Sequence, residues 1–168
     1  FGDLCLDAYW ILDETRQENS LETGLPVHAI GAQHYGLGGA GNVAANLQAL
    51  GARDVRVIGV VGPDLFGQEL LRQFGLRGFS TQSIEVSEQW RTLVYAKPYR
   101  GAHELNRLDF GGDNSLPGAL VAKLLTRIED AAKTCRVVVV NQQVTTGWAE
   151  SLIPELNRII ARNPQTRF

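Results

Sequence analysis

The 168-residue sequence carries 16 Lys and Arg against 18 Asp and Glu, a formal charge of −2, and 44% of it is hydrophobic. That near-neutral, mildly acidic balance lacks the basic stripe of a nucleic-acid or membrane-surface binder. No apolar run approaches the roughly 18 residues that cross a bilayer and no signal peptide is recognisable, so neither membrane nor nucleic acid is expected as a partner.

In chain order, Phe1 to Leu6 reads as a buried strand, and "TGLPVHAIGAQHY" as an extended stretch that is only half apolar. Gly39 to Leu50 reads as a helix, with Ala40, Val43, Ala44, Leu47 and Leu50 at helical spacing. "VRVIGVVG" is a continuous apolar strand of the kind buried on both faces of a parallel sheet. Asp64 then stands at a helix N-cap, and Leu65, Leu70, Leu71 and Phe74 form a stripe ending near Gly75. "TQSIEVS", "RTLVYAKPYR" and "ELNRLDF" alternate polar and apolar residues with no helix between them, which predicts an antiparallel flap. Leu116 to Ala132 is an amphipathic helix, "CRVVVVN" a buried strand and Trp148 to Arg162 a further helix. Strand–helix alternation of this kind predicts an α/β layered sheet with right-handed crossovers. Cys5 and Cys135 both fall in apolar runs and are expected as buried free thiols in a reducing compartment. The chain opens directly on a strand, and Thr166 to Phe168 look like the start of another, so a longer protein is expected around it.

The stretch "GLGGAGNVAANLQALGA" concentrates the functional question. Gly36, Gly38 and Gly41 spell G-x-G-x-x-G, and a dinucleotide-binding oxidoreductase domain is one reading of it, with Asp64 as the ribose-binding acid. That fold needs a central parallel strand immediately before the glycines. "VHAIGAQHY", with two histidines, a glutamine and a glycine, is poor material for one. Gly38, Gly39 and Asn42 fit a different reading. Paired glycines let a ligand touch the backbone, the helix start offers free N–H groups, and the Asn42 amide can both donate and accept. A helix packed closely on the sheet, with Asn42 as a cap, accounts for the same residues. Asp7 lies at the C-terminal end of the first strand, where ligands bind in open α/β sheets, and its carboxylate could accept hydrogen bonds from two sugar hydroxyls.

"GDLCLDAYW", "GGAGNVAANLQALGA", "GVVGPDLFGQEL" and "RLDF" occur in the order and approximate spacing of the ribokinase-like (PfkB) carbohydrate kinases, which the chain resembles from Gly2 to about Asn141. The compact "GGAGNVAAN", with "LDAYW" and "RLDF", is most similar to heptose-phosphate kinases, including the kinase half of bifunctional ADP-heptose enzymes. The resemblance implies a three-layer sandwich around a mostly parallel sheet, with a small β-sheet lid. It also implies phosphorylation of a sugar or sugar phosphate using ATP and Mg2+, in the cytoplasm, with Asp7, Gly39 and Asn42 as sugar contacts and Gly38 beside them. The family's second signature, D-T-x-G-A-G-D, supplies the anion hole and the catalytic base, and no stretch here matches it. Residues 1–168 are therefore expected to be the sugar-binding portion of one kinase domain, with lid strands at about 25–35 and 80–110. The nucleotide half and the catalytic residue are expected elsewhere. Gln142 and Gln143 stand where heptose kinases tend to carry an acidic residue and a tyrosine.

Lys97 and Arg107 fall on neighbouring predicted strands with Arg100 at the turn, and such cations could hold a phosphate already on the sugar; solvated lid charges explain them equally. His28, His34 and His103 lack metal-ligand spacing, and no metal site is expected among these residues. Ile30, Leu93 and Tyr95 have no helix to cover them, which predicts a homodimer through the lid. A non-catalytic sugar-binding or sensor protein is the alternative from another class.

Overall fold

A computed structural model describes residues 1–144 and 149–168. Its pivot is β1 (Leu4–Leu12), which pairs antiparallel with β2 (Ile30–Gly39) and parallel with β5 (Leu93–Arg100). On its other edge β5 carries two short antiparallel strands, β6 (His103–Glu104) and β7 (Leu108–Phe110). Strands β3 (Gly59–Val61) and β4 (Ile84–Val86) pair parallel in a second small sheet. Among the described residues there are also four helices, α1 (Ala40–Ala49), α2 (Leu65–Leu76), α3 (Gly118–Thr134) and α4 (Ala149–Arg162).

Strand alternation makes β1 a partition between two cores. Leu4, Leu6 and Ala8 face one side and pack with Leu37, Ala40, Ala44, Leu70 and Phe74, under α1 and α2. Cys5 faces the other and packs with Leu93, Leu124, Ile128, Leu152 and Ile159, under α3 and α4. Helices on both faces of a sheet give the expected three-layer α/β sandwich. Short backbone bonds widen the parallel layer beyond its named strands. The Gly2 N–H donates to the Ile58 carbonyl, Asp3 N–H to Asn141 and Val138 N–H to Arg167. Asp64 caps α2 as expected, one carboxylate oxygen accepting from Gly67 N–H at 2.8 Å and the other from Thr92 N–H at 2.9 Å. Both oxygens are thereby committed to joining α2 to the start of β5.

Several expectations need correction. Gly36 to Gly39 belong to a strand, and that strand runs antiparallel to β1, so the geometry of a dinucleotide fingerprint is not present. "SIEV" joins the parallel layer beside β3 instead of the flap. "VRVIGVVG" is paired as a strand only from Gly59, although Val57 and Ile58 are buried. "CRVVVVN" forms single bridges at Val137 and Asn141, and Val137, Val139 and Val140 are 54%, 39% and 36% exposed. Val137 and Val139 line a cleft of about 670 Å³ shared with α1 residues Val43 and Leu47. Leu65 is exposed and Gly67 and Gln73 take its place in the buried stripe of α2. Leu93 is buried beneath α3 and leaves the set of uncovered lid residues. Both cysteines are free; Cys5 is buried but Cys135 only partly so. Trp148 lies outside the described residues.

Candidate functional site

Paired residues on neighbouring strands share a face, so register alone shows which side chains converge. Asp7 pairs with Gly36 on β2 and Tyr95 on β5, and Tyr95 pairs in turn with Asp109 on β7. One pleat further out, Tyr9 pairs with His34 and with Lys97. One pleat inward, Cys5 pairs with Gly38 and Leu93. This face is the one that α3 and α4 cover at its inner end, where Cys5 and Leu93 are buried. Beyond their reach the same face turns polar and half-buried. The opposite face stays apolar through Ala8, Val94 and Ala96 against α2. A sheet apolar on one side and polar on the other is the pattern of a surface open to ligand.

The polar side chains are organised in ion pairs. Lys97 Nζ donates to Asp7 Oδ1 at 2.7 Å, with the two side chains 20% and 22% exposed, and it also stands 4.9 Å from the Tyr9 ring centre. Burial acts against the Lys97 ammonium, yet the Asp7 hydrogen bond and charge outweigh it and raise its pKa. Arg107 grips Asp109 with two hydrogen bonds of 2.6 and 2.7 Å while its guanidinium lies 4.5 Å from the Tyr95 ring centre. The Asp109 hydrogen bond is the main reason the Arg107 pKa is raised. Burial pushes the Tyr95 phenol up to about 12, so it stays a neutral hydroxyl at physiological pH.

Glycines keep the floor beside Asp7 open. A Cβ on Gly38 would sit 3.0 Å from Asp7 Oδ2, so only glycine leaves that oxygen uncrowded. Gly39 is the N-cap of α1 at φ 55°, ψ −135°, and a Cβ there would come 2.2 Å from the Asp3 carbonyl, which accepts the Ala40 N–H. This switch is what turns β2 into α1. Asn42 lies exposed in the first turn, and among the described residues its amide has no hydrogen-bond partner, so it does not cap the helix. The buried Asp3 carboxylate accepts from Gln143 N–H at 2.6 Å and Val144 N–H at 2.9 Å. It anchors the loop that follows Asn141 at the base of β1.

Of the residues singled out from sequence, Asp7, Gly38, Lys97 and Arg107 thus stand on or beside one face, and Gly39 and Asn42 at the adjoining helix start. Sequence reasoning missed Asp109, the pairing of Asp7 with Lys97, and the two tyrosine rings beneath the cations. The Arg-x-Asp spacing of "RLDF" signals the first of these; the others depend on register. None of Asp7, Tyr95 or Lys97 lines the cleft of about 670 Å³ formed by Val43, Leu47 and Val137, and its lining is mostly apolar. Convergent polar groups place the candidate site on the polar face of β1, β2 and β5 instead. Among the described residues no group of three or more His, Cys, Asp or Glu is placed to hold a metal ion, and no helix is long and apolar enough to cross a membrane.

Comparison with known proteins agrees with this architecture. The chain is 32% identical over 157 residues to the bifunctional protein HldE of Paramagnetospirillum magneticum, covering 94% of this chain and 32% of that protein. It is 38% identical over 109 residues to the D-beta-D-heptose 7-phosphate kinase of Bordetella bronchiseptica, covering 65% and 34%. Among solved structures, a carbohydrate kinase from Agrobacterium tumefaciens superposes with a TM-score of 0.63 at 17% identity, over 97% of this chain and 49% of that one. An uncharacterised sugar kinase from Pyrococcus horikoshii, solved in complex with ATP, gives 0.59 at 19% identity, over 95% and 48%. These likenesses show the ribokinase-like fold, and the chain spans about half the length of those structures and about a third of the two curated relatives. The pfkB family carbohydrate kinase model matches residues 6–161, and the chain belongs to that family.

Proposed function

We propose that this chain supplies the sugar pocket and lid of an ATP-dependent carbohydrate kinase whose acceptor is a sugar phosphate. The observation that carries the reading is the Asp7 carboxylate, about four-fifths buried and flanked by the glycine backbone of Gly36 and Gly38, with Lys97 one pleat away. Asp7 has a free oxygen for sugar hydroxyls, and the unpartnered Asn42 amide at the neighbouring helix start offers a donor and an acceptor. Gly38 and Gly39 let the sugar reach the backbone. Successive same-face residues on a strand are about 7 Å apart, so a phosphoryl group near Lys97 and Arg107 lies about one sugar-length from hydroxyls held at Asp7. Both cations already have carboxylate partners, and a dianionic phosphate is a ligand each can share. The name of the Bordetella relative, a D-beta-D-heptose 7-phosphate kinase, favours a heptose phosphate.

Asp7, Lys97 and Arg107 are assigned to the sugar phosphate, and ATP with its Mg2+ to residues outside this face. We assign the γ-phosphate contacts and the base to the remainder of a longer, cytoplasmic protein, for which the chain's coverage of its relatives leaves room. The uncovered Val137, Val139 and Val140 are consistent with further structure packing there. Phosphoryl transfer depends on positioning and charge stabilisation, and this portion's share is to fix the accepting hydroxyl. A homodimer through the lid is part of the same reading. β2 is an open sheet edge; Ile30 at its start is 45% exposed, and Leu21 and Leu25 in the preceding segment are 104% and 65% exposed.

Calorimetric titration of the complete protein with sugars and sugar phosphates tests the pocket. Asp7→Ala and Asn42→Ala should each weaken sugar-phosphate binding about tenfold or more, the cost of a lost hydrogen bond to a polar group. Undiminished affinity in both variants would refute the assignment.

A further inference from the structure

The fold accounts for the glycines of the Gly36 to Gly41 run unevenly. Gly38 is crowded by Asp7 and Cys5, Gly39 has a positive φ and the Asp3 carbonyl against it, and a Cβ on Gly41 would sit 3.1 Å from the Phe74 ring. Gly36 has no such reason. Its φ lies outside the positive region, and a Cβ built on it meets no atom within 4 Å. It sits inside β2, where glycine weakens a strand and often marks a place that a ligand approaches closely. Its cross-strand partner is Asp7, so the missing side chain would have stood on the polar face beside that carboxylate.

We propose that Gly36 is a size-limiting residue of the sugar pocket, an inference that rests on the lid face being the sugar site. The open strip at Gly36 lies between His34 and the buried Gly38, four residues of strand or about 13 Å apart, enough for one monosaccharide to enter. His34, the next same-face residue on β2, ends the strip at its outer side. A side chain at position 36 fills this space without disturbing any packed neighbour. The acceptor it selects is accordingly a larger phosphorylated sugar, whose ring or side arm occupies the volume above Gly36 while its hydroxyls engage Asp7.

The test uses the complete protein carrying Gly36→Ala, Gly36→Val or Gly36→Leu, with Asp7→Ala alongside. Affinity for a heptose 7-phosphate and for a pentose 5-phosphate is read by calorimetry, ATP affinity in parallel, and melting temperature by circular dichroism. The expected result is a graded loss from Ala to Leu, about tenfold or more for Leu by overpacking, and larger for the heptose phosphate. Melting temperature should hold or rise, because a β-branched residue suits a strand better than glycine, and ATP affinity should not change. Wild-type sugar-phosphate affinity in Gly36→Leu, with affinity lost in Asp7→Ala, overturns the size limit and leaves the sugar site standing. Unchanged affinity in both overturns the site as well. A Gly36→Leu loss matched by a fall in melting temperature or in ATP affinity also overturns the inference, since it would give Gly36 a structural role.

Discussion

Breaking the ion pair between Asp7 and Lys97 probes the element on which the site geometry rests. Each side chain is about four-fifths buried, at 22% and 20% exposure, and the donor–acceptor distance is 2.7 Å. An exposed pair contributes about 0–1 kcal/mol, while removing one partner of a fully buried pair costs about 3–5 kcal/mol. This pair lies between those limits. Lys97 keeps the face of the Tyr9 ring when Asp7 is removed, which softens the loss of its counter-charge. Asp7→Ala should therefore destabilise by about 1–2 kcal/mol. Lys97→Met keeps most of the aliphatic packing and should cost less, because Asp7 retains access to water on the open face. In a double-mutant cycle read by urea denaturation, the coupling energy should be about 1 kcal/mol. High salt should reduce it only modestly, since the pair is largely shielded from solvent ions. A coupling energy indistinguishable from zero would mean that Asp7 and Lys97 do not meet in solution. The description of the site as a pre-formed polar face would then fail.

Gly39→Ala should destabilise by about 2–4 kcal/mol, combining backbone strain at positive φ with loss of the Ala40 to Asp3 hydrogen bond; wild-type denaturation midpoints would contradict the turn geometry. Burial, with the Asp3 and Asp7 charges adding to it, pushes the Cys5 thiol from 9.0 to about 12. The folded state therefore holds more protons than the unfolded one above pH 9, and this contribution is complete below that pH and is lost as pH rises toward 12. Cys5→Ala should flatten the alkaline fall in melting temperature, and iodoacetamide should modify Cys135 while Cys5 reacts only after unfolding; equal labelling of both in the native protein would refute the burial argument. Sedimentation of the complete protein should show a dimer at micromolar concentration, weakened by Ile30→Lys and Leu25→Lys, whereas a monomer throughout would remove the lid interface.

The parts of the fold legible in the sequence were those specified locally. Asp64 announced the start of α2 because an acidic N-cap before an apolar stripe has one common meaning, and one of its oxygens caps the helix while the other holds Thr92 N–H. Phe1 to Leu6 read as a buried strand from their apolar run, and the strand there, β1 from Leu4, divides the two cores. Asp7, Gly38, Gly39, Asn42, Lys97 and Arg107 could be nominated from position and type. Their mutual arrangement could not, because it depends on β5 running parallel to β1 while β7 returns antiparallel, a register no local signal carries. β4 was misplaced for a similar reason: three residues, Ile84 to Val86, take their partner from tertiary context. The "VVVV" run read as a buried strand because apolar continuity predicts burial on both faces, yet Val138 alone of the four is buried. The tyrosines under Lys97 and Arg107 belong to the same category as β7, visible only once the strands are aligned.

The most direct measurement of the central claim is sugar-phosphate-dependent ADP production by the complete protein, compared with its Asp7→Asn variant. Asparagine keeps the size of the side chain and removes the charge that holds hydroxyls in the accepting geometry. Catalysis should be present with a phosphorylated sugar, and kcat/KM should fall about tenfold or more in Asp7→Asn while the KM for ATP stays near its wild-type value. ADP production that is absent with every sugar and sugar phosphate, or undiminished in Asp7→Asn, would contradict the assignment of this face as the sugar pocket of a kinase.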